Sequence, residues 1–192
     1  SIGFVPTMGA LHEGHLSLIS KAKDECDIVV VSIFVNPTQF NNSSDLSKYP
    51  RTVGVDIESI HKLGKDILIY VPSVEEIYPD GLNAEHFDFG SVSTFMEGKY
   101  REGHFDGVGT VLKRFFNLVK PKKAYFGEKD YQQLAVVRKL VEITEQDVSI
   151  IGCETYREKN GLAKSSRNKL LSDEERTQAG IIYDSLIYLK HN

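Results

Sequence analysis

Cysteine is scarce in this 192-residue sequence, and Cys26 and Cys153 match no metal-binding or redox spacing. That scarcity argues against a disulfide-built secreted scaffold and leaves two reduced thiols, as expected of a cytoplasmic protein. Long hydrophobic runs are missing too. The strongest, Ile28–Val35, has eight residues, against roughly 20 needed to cross a bilayer, so no membrane partner is expected. No secretory leader pattern appears, although Ser1 runs straight into the strand-like IGFV and the natural start is expected upstream. Basic blocks are absent: 23 Lys+Arg stand against 27 Asp+Glu, a net charge of −4. This offers no footprint for nucleic acid, yet localised cations remain free to serve a small anionic ligand. No repeat or low-complexity segment interrupts the chain.

What is present alternates. Ile2–Val5, Ile28–Val35, Ile67–Val71, Ala124–Phe126 and Val148–Ile151 read as short buried strands. Between them, Leu18, Ile19, Ala22 and Cys26 recur at helical spacing, as do Ile57, Ile60 and Leu63, and Leu134, Val137 and Val141. The clearest amphipathic helix carries Val108, Val111, Leu112, Phe115, Phe116 and Val119 on one stripe. At the end, Ser172-Asp-Glu-Glu175 forms a capping box, predicting one helix with Ala179, Ile182, Leu186 and Leu189 inward. Strands alternating with helices predict an α/β fold, a doubly wound parallel sheet. Such sheets bind ligands outside the carboxyl ends of their strands, near a switch point.

Polar clusters fall at those ends. After the first strand, His12-Glu-Gly-His15 sets two histidines one helical turn apart behind a glycine turn. A helix start of this kind presents unpaired N–H groups and the positive dipole end to an anion, and it disfavours protonated imidazole. Two surface histidines at a helix start remain an equal alternative. After the fourth strand, Gly127-Glu-Lys-Asp130 supplies a cation for phosphate and a carboxylate for ribose hydroxyls, or else a helix cap and a solvated charge run. After the fifth, Gly161-Leu-Ala-Lys-Ser-Ser-Arg-Asn168 sets two hydroxyls between two cations. This is either a flexible phosphate clamp or a polar surface loop. Convergence of all three on one sheet edge favours function.

Together PTMGALHEGH, FVNPTQF, YPRT, HFDGV, FGEKDYQQL and GLAKSSRN, in this order from Pro6 to Asn168, resemble the pantothenate synthetase (pantoate–β-alanine ligase) family. HxGH after the first strand also resembles the wider nucleotidyltransferase superfamily. The resemblance implies a Rossmann-like nucleotidyltransferase fold. It also implies ATP-dependent condensation of pantoate with β-alanine to pantothenate, AMP and pyrophosphate, through pantoyl adenylate. ATP enters as a substrate with Mg²⁺ on its phosphates, and the family implies a homodimer.

Carried over residue by residue, His12, His15 and Lys129 form the catalytic set, with His15 as proton donor. ATP contacts fall on Met8, Gly9, Ala10, Leu11, His12, Glu13, Gly14 and His15 of the turn. They continue at Gly127, Glu128, Lys129 and Asp130, at Tyr156 through its backbone, and at Lys164, Ser165, Ser166 and Arg167. Gln39 and Gln133 read pantoate, and no protein metal ligands are implied.

Lys164 stands where many members have methionine, and Asn41-Asn-Ser-Ser44 where members often continue with glycine. Asp56 matches one acidic residue of a family pair whose other position is Val55. Glu97, Arg101 and His104 match positions near the site, with helix-cap or loop-salt-bridge roles equally open. Members usually add a small C-terminal domain. Residues 1–171 are therefore expected to form the nucleotide- and pantoate-binding domain, and residues 172–192 the start of a C-terminal helical lid region.

Overall fold

The short apolar runs become five parallel strands in a computed structural model that describes residues 1–191, Ser43 by its backbone alone. In chain order the elements begin β1 (Ile2–Thr7), α1 (Glu13–Glu25), β2 (Ile28–Ile33), α2 (Ser43–Lys48), α3 (Val53–His61), β3 (Leu68–Tyr70) and α4 (Val74–Ile77). They continue with α5 (Glu97–Tyr100), α6 (His104–Val119), β4 (Lys123–Gly127), α7 (Tyr131–Ile143), β5 (Ser149–Cys153), α8 (Asp173–Gln178) and α9 (Ile181–His191). The strand order is β3-β2-β1-β4-β5, as expected of a doubly wound sheet. From β1 the chain winds outward to β2 and β3, then returns to place β4 on the other side of β1. The switch point therefore lies between the carboxyl ends of β1 and β4.

Pleating divides the core between the two faces. Phe4, Ala124 and Phe126 join Val108, Leu112, Phe115 and Phe116 of α6 and Leu134 and Val137 of α7. Val5, Val31 and Tyr125 face the opposite way, onto Leu18, Ile19 and Ala22 of α1 and Ile60 of α3. The stripe expected on α6 is buried throughout its length except at Val119, which packs at the margin.

The C-terminal helix departs from expectation. Its capping box forms, with Ser172 Oγ accepting from Glu175 N and Glu175 Oε2 from Ser172 N. However, the segment breaks at Gly180 into α8 and α9. The Asn160 side chain takes the Arg176 carbonyl at 2.8 Å, and Gly180 N–H turns to Thr177 O instead. With the axis redirected, Ile182, Leu186 and Leu189 are exposed rather than inward. Tyr183 faces the domain in their place, 4.2 Å from the Arg157 guanidinium.

Candidate active site

The turn after β1 starts the site. Thr7 Oγ1 donates to Ser32 O at 2.7 Å and accepts from Gly9 N, and the chain then passes through Gly9 and Ala10 at φ of 82° and 51°. His12 caps α1: its Nδ1 accepts from Gly14 N at 3.2 Å, while His15 Nδ1 accepts from His12 N at 3.2 Å. The two histidines are thus a capping box made of imidazoles. With both Nδ1 atoms accepting, each neutral ring carries its proton on Nε2. The rings lie 4.1 Å apart, and both line the cleft outside β1 and β4.

Most of the backbone N–H groups expected to be unpaired at this turn are in fact engaged. His15 N and Leu16 N donate to His12 O, and the amides of Ala10 and Leu11 donate to the buried carboxylate of Asp56 at 3.0 and 2.8 Å. The turn brings both imidazoles to the cleft. Gly9, Ala10, Leu11 and Glu13 lie outside the cleft lining, whereas Met8, His12, Gly14 and His15 form part of it.

Both histidines are held neutral. Burial, then the neighbouring His12 and Lys129, pushes His15 down to about 4. Burial followed by Lys129 and Lys164 lowers His12 as well. Burial leads in both cases.

A stability consequence follows from the sign of the shift. Between the ordinary value of 6.5 and about 4, the unfolded chain takes up a proton that folded His15 refuses. Stability is therefore present above 6.5 and declines as pH falls through that window. Melting curves from pH 7 to 4 should show a smaller loss for His15→Gln than for the parent. Equal losses would place the titration elsewhere.

At the end of β4, Lys129 Nζ bridges both oxygens of Asp130 at 2.8 and 2.9 Å, and both side chains line the cleft. Asp130 precedes α7 but makes no capping bond, so the cap alternative does not apply. Glu128 turns away: its Oε1 lies against Gly152, 3.0 Å from where a Cβ would sit. The paired glutamines divide. Gln132 donates to Val92 O and Phe95 O and accepts from Glu97 N, whereas Gln133 lines the cleft.

Gln39 enters the cleft from a 3₁₀ turn, Pro37–Gln39. That turn packs so closely on α6 that a Cβ on Gly107 would stand 2.3 Å from Thr38 O. Asn36, 1% exposed, donates to Gln39 Oε1 at 3.2 Å and to Gly107 O at 3.1 Å, while accepting from Tyr78 OH at 2.6 Å. Gln39 Nε2 points at Met8 Sδ, a weak acceptor, and so stays available to a ligand. His104 Nδ1, 2.8 Å from Gln39 O, and the Arg101 guanidinium fix the backbone. His104 and Arg101 thus have positions beside the cleft, and Arg101 also pairs with Glu97. Sequence reasoning does not single out Asn36 or Tyr78; the conspicuous FVNPTQF motif is the only signal for Asn36.

The loop after β5 is better ordered than a flexible clamp. Arg157 and Ala163 form an antiparallel bridge, and Lys164 N donates to Tyr156 O at 2.9 Å. Asn168, nearly buried, ties the loop to Glu158 and Ala163 O. Lys164 pairs with Glu13 at 3.1 Å, while Tyr156, Lys164, Ser165, Ser166 and Arg167 all line the cleft. The cleft measures about 250 Å³. Among the described residues, no three His, Cys, Asp or Glu side chains gather to hold a metal, and no helix is long and apolar enough to cross a membrane.

The family model for pantoate-beta-alanine ligase matches residues 1–192. A pantothenate synthetase from Flavobacterium psychrophilum is 55% identical over 190 residues, 99% of this chain and 67% of its own length. Pantothenate synthetase from Thermus thermophilus superposes with a TM-score of 0.90 at 48% identity, covering 97% of this chain and 67% of that one. The pantoate-beta-alanine ligase of Francisella tularensis, solved with beta-gamma ATP and beta-alanine, matches with a TM-score of 0.88 at 47% identity, covering 95% and 70%. The chain spans about two thirds of the length of the curated relatives it matches.

Proposed function

Because the chain belongs to the pantoate–β-alanine ligase family, we propose that its sheet-edge cleft joins pantoate to β-alanine at the expense of ATP. A pantoate carboxylate oxygen attacks the α-phosphorus. The new P–O bond forms as the bond to the β-phosphate oxygen breaks, and pyrophosphate leaves. The β-alanine nitrogen then attacks the adenylate carbonyl, forming the C–N bond, releasing AMP and giving up a proton to solvent.

The observation that carries this reading is that two side-chain amides, two imidazole donors and several cations line a single cleft. Gln39 and Gln133 suit a hydroxy acid, since an amide both donates and accepts. Neither neutralises the carboxylate that must act as nucleophile. In the same cleft, His12 and His15 offer Nε2–H donors and Lys129 a charge, where negative charge builds on phosphorus. Lys164, Ser165, Ser166 and Arg167 close on the triphosphate, and Gly127 and Asp130 border the adenosine.

Asp56 directs both oxygens at backbone amides and Asp130 is bridged by Lys129, so neither carboxylate is free to hold a metal. Mg²⁺ belongs on this reading to the ATP phosphates, and no step is routed through it. The same reading includes a homodimer in the cytoplasm with no nucleic-acid partner.

The test is product analysis with ATP, pantoate and β-alanine, each omitted in turn. AMP and pyrophosphate should appear only when pantoate is present. ADP and phosphate would instead indicate an acyl phosphate and overturn the adenylate route.

A further inference from the structure

Successive N–H groups in left-handed turns form a concavity that attracts anions. The turn at Gly9–Leu11 is one, and it is already filled. Ala10 N and Leu11 N donate to Asp56 Oδ2 and Oδ1, and Thr52 Oγ1 donates to Oδ2 at 3.1 Å. Asp56 is 2% exposed and reaches this place from the first turn of α3, far along the chain. Ala10 holds φ of 51°, a conformation that alanine does not favour by itself. The turn therefore needs support from outside, and a buried carboxylate gives it on both amides.

We infer that Asp56 is a positioning residue for adenylate formation: it fills the turn's anion site from within and thereby sets Met8 and His12 on either flank. Met8 Sδ meets the Gln39 amide, and His12 caps α1 and holds His15. One carboxylate thus governs the spacing between Gln39 and the imidazole donors. It also directs the phosphates away from the backbone of residues 10 and 11 and toward the imidazoles. This inference rests on the reaction proposed above, but part of its test does not.

Behind the turn lies a second hollow of about 230 Å³, bordered by Gly9, Thr52 and Asp56. It gives a small carboxylate a way to the site. In Asp56→Ala, pantoate-dependent AMP release should fall about 10²-fold, the scale of an ångström-sized misplacement, mainly in kcat. Added formate should restore part of it, while chloride at equal ionic strength should not. Asp56→Asn keeps the shape but offers one acceptor oxygen in place of two, and should lose activity without formate rescue. Thr52→Val, which leaves the carboxylate in place, should lose less than either.

Amide hydrogen exchange at Ala10 and Leu11 needs no turnover. Both should exchange slowly in the parent and Thr52→Val, and faster in Asp56→Asn. A parent that released no AMP would sink the reaction, while exchange would still decide on Asp56. Asp56→Asn with parental turnover, formate without effect on a folded Asp56→Ala, or unchanged exchange would each overturn the assignment.

Discussion

His15→Ala is expected to release AMP roughly 10²–10³-fold more slowly than the parent, the scale for losing one transition-state donor. The reason lies in the ring's two nitrogens. Nδ1 accepts from His12 N at 3.2 Å, which leaves the proton on Nε2 at the cleft. With His15 pushed down to about 4, the ring is neutral at pH 7, which on the proposed reading leaves it to donate a hydrogen bond rather than deliver a proton. Turnover should accordingly show no step near 6.5 attributable to this ring. Because the charge it stabilises builds during reaction, kcat should suffer more than ATP affinity.

Alanine also removes half of the capping box, at a cost of about 0.5–2 kcal/mol. His15→Gln separates the two effects, since glutamine is a favoured residue at the third position of a capping box. It should recover the melting temperature without recovering turnover. Parental AMP release from both variants would leave the histidines with a capping role only.

The sheet was legible because its strands are written in short apolar runs between turn residues. Ile28–Val35 is long enough only for a buried strand, and the alternation of strands with helices pointed to parallel order. The convergence of His12, His15, Lys129 and the Ser165–Arg167 loop followed from strand ends alone.

What stayed hidden was hydrogen-bond direction. Nothing in HEGH reveals that imidazoles cap their own helix, nor that Ala10 and Leu11 give their amides to a residue 46 and 45 positions away. Asn36 and Tyr78 orient Gln39 through contacts reaching Gly107 of α6, which no local pattern encodes. The tail misled for a similar reason. One side-chain bond from Asn160 turned an apolar stripe outward at Gly180.

Replacing Lys129 with methionine is expected to lower AMP release about 10²-fold, comparable to removing a preorganised donor. Methionine keeps the stem and removes the charge. Lys129 is bridged to Asp130 and lies close enough to both histidines to depress their protonation. The variant should therefore move two things together. AMP release falls, and the imidazole titrations of His12 and His15, followed by NMR, shift upward. They should not return fully to 6.5, because burial is the leading cause of both shifts and remains. A bland role is also testable. If Lys129 serves only to neutralise Asp130, Lys129→Met/Asp130→Asn recovers activity. If Lys129 instead meets phosphate, the double variant stays as slow as Lys129→Met, and the coupling energy of the cycle is small. Recovery in the double variant would confine Lys129 to its carboxylate neighbour and leave the phosphate to the imidazoles and Arg167.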